Sequence, residues 1–319
     1  MKFDESIDAY VRHKNAMGVE FDTGKKYLIA LAQRVGTLEL DRVDAKHVAA
    51  FLDASEVQAA TWRMKYYVLL NFFDFWAARN EIPYLSFPPI KPRVRNSFVP
   101  YIFSRSEVRA LVRIPSGKIE TNLDPITMRT FLLFLYATGA MAGEAWNLSV
   151  HDIDMKNRMV TIKNRCITRS RKIPMSNDLC EVLRKYFAWR LKKKVEVSKL
   201  FVNKNGTPAG YESFLRCFRK RCEFCNIRRE RSSTYQPRLH DLKFTFAVHR
   251  IRFWIRSKTD LNKMLPALAA YMGLKLVTTE RYFYLTPERF TKHLNKLSPP
   301  RTKNHWRNNP DLMKFLNSL

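Results

Sequence analysis

Apolar side chains in residues 2–83 recur every three or four positions, which is the spacing of helices with one buried face. The pattern predicts four helices, at 6–17, 23–35, 41–52 and 59–78. The last of these is rich in aromatic and leucine side chains. We interpret it as the buried centre of a small helical domain, in preference to an exposed aromatic surface for stacking on a ligand.

The helical spacing returns after residue 104, where a Ser-X-X-Glu capping box predicts a helix start at Ser104. Helices are predicted at 104–112, 124–136, 143–148, 177–194 and 211–225. Strands are predicted at 159–163 and 171–174, which would form a hairpin, and at 199–202. Two more helices are predicted at 286–297 and from Asp311 onwards. The expected fold class is mainly α with a small antiparallel sheet.

The chain carries a large positive charge, with 57 lysines and arginines against 29 acidic residues and a net charge of +28. Such an excess predicts a polyanionic partner. Double-stranded DNA is the expected one, because the cations lie within folded segments rather than in a tail. The cations near the hairpin tip and one helix end that we expect to contact phosphates are Arg165, Arg169, Arg171, Lys192, Lys193 and Lys194. The alternative is that they form a solvated surface.

A proline-rich stretch, SFPPIKPRVRNS at 86–97, separates the two sets of elements. Proline resists helix, so the stretch predicts an extended connection. We expect a helical domain at 1–88, a linker at 89–103 and a second domain at 104–319. The linker cations expected to follow the DNA backbone are Lys91, Arg93 and Arg95. Two globular halves joined in this way suit a clamp around a duplex.

The sequence predicts neither a membrane partner nor export. No apolar tract is long enough to span a bilayer, and the first residues lack the basic and then apolar pattern of a secretion signal. We therefore expect a cytoplasmic, nucleoid-associated protein.

Five cysteines raise the question of a metal site, because two of them form a Cys-X-X-Cys pair, Cys222 and Cys225, with Cys217 just upstream. A zinc site needs a second ligand pair at suitable spacing, and none lies nearby in the sequence. We expect no metal, and we predict that these thiols are buried or half-buried on a helix.

The candidate chemistry lies in residues 239–288. His240 and Lys243 stand one helical turn apart and share a face if the segment is helical. Tyr282 follows later, in the sequence TTERY. Two groups able to hold a phosphate and a tyrosine able to attack it indicate DNA strand transfer through a phosphotyrosine. The alternative is a basic amphipathic helix, a linker and a tyrosine in a core helix.

Several motifs, taken in order, resemble the tyrosine recombinase (phage integrase) family. ATGAMAGE at 137–144 is similar to the family's TGLRxxE turn, and the predicted hairpin ends in R-x-x-P at 171–174. The later matches are LHDLKFTFA to xHDLRHTFA, YMG to xLG and TTERY to TTxxY. The sequence of the motifs in residues 239–288 most resembles that of transposon-encoded recombinases. The resemblance implies a helical core-binding domain followed by a mostly helical catalytic domain with a small antiparallel sheet.

The resemblance also implies a reaction that needs no metal or cofactor. In this family two arginines hold the scissile phosphate, a hairpin lysine protonates the leaving oxygen, histidines assist, and a tyrosine forms a 3′-phosphotyrosine. Tyr282 matches the nucleophile and His240 the first histidine. Lys163 is the candidate hairpin lysine if the hairpin is longer than usual. Tyr284 is the alternative nucleophile, because the interval from Gly273 to Tyr282 is one residue shorter than the usual pattern.

Three positions depart from the family's pattern. The two arginine positions hold Met141 and Lys243, and the position after YMG, normally histidine or tryptophan, holds Leu274. Methionine donates no hydrogen bond and carries no charge, whereas lysine keeps the charge but lacks the planar fork of arginine. An arginine lent by a partner is one alternative source of the missing group. The candidates within the chain are Arg129, Arg165 and Arg281.

Two hypotheses therefore compete. In the first, the chain binds double-stranded DNA within a recombination or integration system, with impaired or no strand cleavage, beside an active recombinase partner or as a homo-oligomer. In the second, it is an active site-specific recombinase with a remodelled phosphate clamp that cuts DNA through Tyr282. A basic nucleic-acid-binding protein unrelated to the family is the remaining alternative.

Overall fold

The computed structural model describes residues 2–285 except 20, 55–56, 92–98, 120, 164–169, 230–234, 277, 280–281 and 283–284. The described residues fall into two units, one ending at Val99 and one beginning at Pro100. Each unit has a hydrophobic core of its own. The two helices predicted after residue 285 lie outside the described residues.

The first unit packs the apolar faces of its helices against one another, as the sequence pattern predicts. Its described helices are α1 (Phe3–Ala16), α2 (Asp22–Val35), α3 (Ala45–Asp53) and α4 (Ala59–Ala77), with a 3₁₀ turn at Leu40–Arg42. The Asp44 carboxylate accepts a hydrogen bond from the His47 N–H at 3.0 Å and so fixes the start of α3. Trp62, Tyr66 and Phe72 of α4 are buried in the core, which supports the predicted packing role of its aromatic side chains.

The described part of the second unit combines helices with one small sheet. The helices are α5 (Arg105–Arg113), α6 (Pro125–Thr138), α7 (Ala142–Trp146), α8 (Asn177–Lys192), α9 (Tyr211–Phe224), α10 (Asp241–Arg256) and α11 (Leu261–Met272). The antiparallel strands, in sheet order, are β1 (Ile153–Asp154), β2 (Met159–Ile162) and β3 (Arg171–Pro174). The predicted hairpin is formed by β2 and β3, with Ile162 opposite Arg171. The predicted fold class is confirmed.

The strand predicted at 199–202 does not form, and that prediction is wrong. The described residues of this segment form only isolated β-bridges. Two of its backbone carbonyl oxygens accept hydrogen bonds from the buried side chain of Arg190 instead of from a neighbouring strand. The Arg190 guanidinium donates to the carbonyl oxygens of Val197, Lys199 and Leu200 at distances of 2.7 to 2.9 Å. A guanidinium has enough donors to satisfy several carbonyls at once, so it replaces a neighbouring strand here.

Helix α6 is central to the second unit, because α5, α8 and α10 all pack against it. It begins where the Asp124 carboxylate accepts a hydrogen bond from the Ile126 N–H at 3.0 Å, with Pro125 in its first turn. Helix α10 packs on both α6 and α11. This arrangement carries the candidate residues of α10 to the C-terminal end of α6. No described helix combines the length and the apolarity that a membrane crossing requires.

Candidate functional site

The turn after α6 depends on a glycine. Gly139 has a φ of +61°, and its N–H donates to the Leu135 carbonyl at 2.9 Å. A Cβ atom at this position would lie only 2.4 Å from Cδ1 of Phe246 on α10, so no larger residue fits without displacing that ring. The close approach of α10 to the turn places Met141 and α7 beside the start of α10.

Met141 offers no side-chain donor to the site. Its side chain is exposed, and its backbone N–H donates to Oε2 of Glu144 at 2.8 Å. Glu144 thereby closes the first turn of α7. The position where the resemblance leads us to expect an arginine therefore contributes only a backbone N–H.

Glu144 also forms a bidentate ion pair with Arg171, the first residue of β3. The Arg171 Nη1 and Nη2 atoms lie 2.8 and 2.9 Å from Oε1 and Oε2 of Glu144. Burial raises the pKa of Glu144, but the hydrogen bonds from Arg171 and Met141 outweigh it, so the net pKa lies below the ordinary value. The carboxylate is consequently ionised at neutral pH.

Arg171 additionally connects the sheet to the end of α11. Its Nε donates to the Tyr271 carbonyl at 3.2 Å. Gly273, with a φ of +65°, ends α11, and a Cβ atom there would lie 2.9 Å from Nη1 of Arg171. One guanidinium therefore joins β3, α7 and α11, and glycine at 273 leaves room for it.

Lys243 is the most unusual side chain of the site, because it is only 3% exposed and its Nζ has no hydrogen-bond partner among the described residues. Burial lowers its pKa from 10.5 to about 8. The Glu144 carboxylate opposes this effect, whereas the positive charge of Arg171 adds to it. A buried ammonium without a hydrogen bond carries a large desolvation penalty, which an anion within hydrogen-bonding distance would relieve.

His240 immediately precedes α10, and its ring lies 5.5 Å from the Phe244 ring. The residue as a whole is exposed, yet its ring is crowded enough that desolvation lowers its pKa. The positive charges of Lys243 and Arg238 lower the pKa further. The imidazole is therefore neutral at pH 7 and can accept a proton.

Tyr282 is buried, with only 4% of its surface exposed. Its ring lies 5.4 Å from the Phe244 ring, and it belongs to an apolar cluster that includes Met272 and, at the margin, Leu274. Leu274 thus contributes apolar packing around Tyr282. His240 and Tyr282 each pack against the Phe244 ring of α10.

Lys163 extends from the end of β2 and forms an ion pair with a different acid. Its Nζ lies 2.7 Å from Oδ1 of the buried Asp152. The Asp152 carboxylate also accepts a hydrogen bond from the Ser149 N–H at 2.8 Å. The candidate hairpin lysine is therefore held by a carboxylate that the sequence analysis did not single out.

The predicted DNA-contact residues have different surroundings. Lys91 forms an ion pair with Asp53 at 2.6 Å and lies over the Trp62 ring. Lys192, Lys193 and Lys194 are exposed at the end of α8, whereas Arg171 is engaged by Glu144. Arg129, a candidate replacement for the missing arginine, is exposed on α6. The candidates outside the described residues are Arg93, Arg95, Arg165, Arg169, Arg281 and Tyr284.

The thiols follow the predicted pattern of a packed helix. Cys217 and Cys222 are buried on α9, and Cys225 is half-buried just after it. Burial raises the pKa of Cys222 to about 12. Within the part of the chain that the structure describes, no three His, Cys, Asp or Glu side chains are grouped so as to hold a metal ion.

The architecture is that of the tyrosine recombinases. The Tn1549 transposon integrase in complex with transposon right end DNA superposes with a TM-score of 0.62 at 16% identity, over 92% of this chain and 99% of that one. A lambda integrase dimer bound to a COC′ core site gives a TM-score of 0.61 at 15% identity, over 88% of this chain and 95% of that one.

Residues 103–256 match the model of the phage integrase family. Tyrosine recombinase XerC of Proteus mirabilis is 23% identical over 304 residues, which cover 92% of this chain and 93% of XerC. The y4rB protein of Sinorhizobium fredii, named as an integrase/recombinase, is 24% identical over 307 residues, which cover 92% of this chain and 96% of y4rB.

Two residues of this site were not recognised from sequence as acting together. Glu144 stood inside the quoted turn motif and Arg171 was predicted to contact DNA, but they are 27 residues apart and no local spacing relates them. The signal available in the sequence was the pairing of an acid in the TGxxxxE turn with an arginine in R-x-x-P. That signal gives no distance, so only the fold reveals the ion pair.

Proposed function

We propose that this chain binds double-stranded DNA within a site-specific recombination or integration system of a mobile element, and that its own strand cleavage is impaired or lost. The phage integrase family domain and the net charge of +28 support the DNA-binding part. In this proposal a helical domain at 1–88 and a second domain at 104–319, joined by the basic linker, both contact the duplex. The partner in the reaction is an active recombinase or a second copy of this chain.

The buried ammonium of Lys243 is the observation that carries the proposal. A lysine with no hydrogen-bond partner in the described residues and almost no exposure is stabilised by an anionic acceptor within hydrogen-bonding distance. A DNA phosphate supplies oxygen acceptors and a negative charge at the same time. His240, with its neutral ring one turn away, is a second group suited to a phosphate oxygen or its proton.

Two features of the site support impaired cleavage: the missing phosphate donors and the apolar packing of the Tyr282 ring. Met141 brings no charge and no side-chain donor to the phosphate, and Leu274 brings none either. Removing one preorganised donor from a transition state typically lowers the rate about 100- to 1000-fold. The Tyr282 ring is in addition packed in an apolar cluster, so an attack on phosphorus requires the ring to leave that packing.

An active recombinase is the second candidate, and one observation favours it. The rings of His240 and Tyr282 each contact the Phe244 ring, so the residues that match the nucleophile and the proton-transfer group of the family's reaction both pack against one side chain of α10. In this candidate Lys243 holds the phosphate, and Lys163, once released from Asp152, protonates the leaving oxygen. Covalent capture of a nicked duplex separates the two candidates.

The role of Lys243 is tested by the pH dependence of DNA binding. Phosphate contact favours the charged lysine, so above pH 8 the free protein must take up a proton when it binds. We expect the affinity of the wild-type for a duplex to fall more steeply than that of Lys243→Met as the pH rises from 8 to 10. At pH 7, where Lys243 is charged, the variant should bind at least about 10-fold more weakly.

Fluorescence anisotropy with a labelled duplex at low salt measures both effects. Glu181→Gln, an exposed change on α8, is a suitable control for the pH series, because Glu181 forms ion pairs with the exposed Arg184 and Lys185. Parallel pH curves for the wild-type and Lys243→Met would remove Lys243 from the phosphate site.

The cations at the end of α8 give a separate test of the DNA face. Changing Lys192, Lys193 and Lys194 to glutamate should weaken binding to any duplex. It should also reduce the slope of log affinity against log salt by roughly 3, because each lost phosphate contact contributes about 0.9. The control is Arg184→Glu with Lys185→Glu on the same helix, where Glu181 already pairs with both cations. Equal slopes for the triple variant and the wild-type would show that the three lysines are only solvated.

A further inference from the structure

Position 141 holds methionine where the family has an arginine, but the guanidinium of Arg171 lies close to its backbone. Oε2 of Glu144 accepts hydrogen bonds both from the Met141 N–H, at 2.8 Å, and from Nη2 of Arg171, at 2.9 Å. The Arg171 guanidinium is therefore adjacent to the backbone of the residue that carries the phosphate-binding arginine in the family. It arrives there from β3 and not from α7.

Arg171 retains unused donors in this position. Of its five N–H groups, one on Nε is bound to the Tyr271 carbonyl, and one on each terminal nitrogen is bound to Glu144. One N–H on each terminal nitrogen remains without a partner in the described residues. The side chain is partly buried, with 14% of its surface exposed, so a ligand that reaches these donors meets them in a poorly hydrated place.

The charges around Glu144 do not balance. Arg171 and Lys243 both interact electrostatically with this one carboxylate, and each lies close enough to the other for the positive charge of Arg171 to lower the pKa of Lys243. Two cations and one carboxylate leave one positive charge, next to an ammonium without a hydrogen bond. A phosphate oxygen would neutralise that charge and accept hydrogen bonds from both cations.

We propose that Arg171 supplies to a DNA phosphate the guanidinium that is missing at position 141, and that it shares this phosphate with Lys243. Glu144 orients Arg171 for the contact, and the Tyr271 carbonyl fixes the plane of the guanidinium. The inference rests on the proposed DNA binding and adds to it a second cation, beside Lys243, that binds the phosphate. Arg171 is thus a binding residue, whereas Glu144 is a positioning residue.

The test is a rescue experiment on duplex binding. Arg171→Gln should lower the affinity about 10-fold or more and reduce the salt slope by about 0.9. Adding Met141→Arg to Arg171→Gln should restore the slope, because the exposed position 141 then supplies the guanidinium from α7. The thermal midpoint should stay lowered in the double variant, since the bond to the Tyr271 carbonyl is not replaced. If Arg171 had a purely structural role, adding Met141→Arg would not restore the salt slope while the thermal midpoint stays lowered.

Two further variants keep the test decisive. Arg190→Gln removes another buried guanidinium, one that donates to the carbonyl oxygens of Lys199 and Leu200, and should lower the thermal midpoint while leaving the salt slope unchanged. Arg171→Lys keeps the charge and should retain the slope with a weaker affinity, which provides a folded comparison if Arg171→Gln unfolds.

The outcomes separate the inference from the proposed function. A salt slope for Arg171→Gln equal to that of the wild-type, or no recovery on adding Met141→Arg, would overturn the inference while the wild-type still binds DNA. If Arg171→Gln does not fold, an Arg171→Lys affinity equal to the wild-type overturns it. A wild-type protein that does not bind a duplex at low salt would overturn both.

Discussion

Restoring the two arginines, by Met141→Arg together with Lys243→Arg, should increase covalent capture of a nicked duplex at Tyr282 by about 100-fold or more. The physical reason is that a guanidinium offers two parallel hydrogen bonds to a phosphate, whereas methionine offers none and lysine offers only a point charge. The developing charge on a pentacoordinate phosphorus is stabilised by such donors more than the ground state is. The measurement is the rate of adduct formation on a suicide duplex, followed by denaturing gel electrophoresis.

Tyr282→Phe in the same double variant is the matched control, and it should form no adduct. An adduct that survives this change would assign the attack to another tyrosine, such as Tyr284. If the double variant gains no cleavage over the wild-type, the loss of the two arginines does not explain an impaired reaction. The burial of Tyr282 against Phe244 would then be the remaining barrier on the described residues.

Removing the carboxylate at the centre of the site should have the largest effect on stability. Glu144→Ala leaves the partly buried Arg171 and the buried Lys243 without a counter-ion and deprives α7 of its first-turn hydrogen bond. Breaking a buried ion pair on one side typically lowers the free energy of unfolding by about 3–5 kcal/mol. Urea denaturation at pH 7, followed by circular dichroism, measures this change.

Glu181→Ala is the comparison for that experiment. Glu181 also pairs with an arginine and a lysine, but all three side chains are well exposed on α8. Exposed ion pairs typically contribute about 0–1 kcal/mol, so this variant should unfold close to the wild-type midpoint. Similar midpoints for Glu144→Ala and Glu181→Ala would show that Glu144 does not hold the site together.

Local sequence signals predicted the elements well where a residue acts on its own backbone. The Ser104 hydroxyl accepts from the Glu107 N–H at 3.1 Å, and the Glu107 carboxylate accepts from the Ser104 N–H at 2.7 Å, as the capping box predicted. Alternating apolar positions likewise predicted β2 and β3. Strand β1 was not predicted, because two residues are too few to show any alternation.

The candidate site was less accessible to sequence analysis than the fold. The motif resemblance assigns positions 141, 243 and 274 to the family's phosphate clamp. The residues found there lead us to expect that the clamp is altered. The sequence does not show that Lys243 is buried without a hydrogen bond in the described residues, because its surroundings, which include Glu144 of α7 and Arg171 of β3, are brought together only by the fold. It also does not show that Arg171 and Met141 share one oxygen of Glu144, because that contact depends on how β3 packs beside α7.

The most direct test of this account compares the wild-type with Tyr282→Phe on one nicked duplex at low salt, with affinity and covalent adduct measured in the same samples. We expect both proteins to bind the duplex with equal affinity, and we expect the wild-type to form little or no adduct and Tyr282→Phe to form none. A wild-type adduct that captures most of the bound duplex, and that Tyr282→Phe abolishes, would contradict impaired cleavage and establish an active recombinase. Absence of duplex binding by both proteins would contradict the proposed function as a whole.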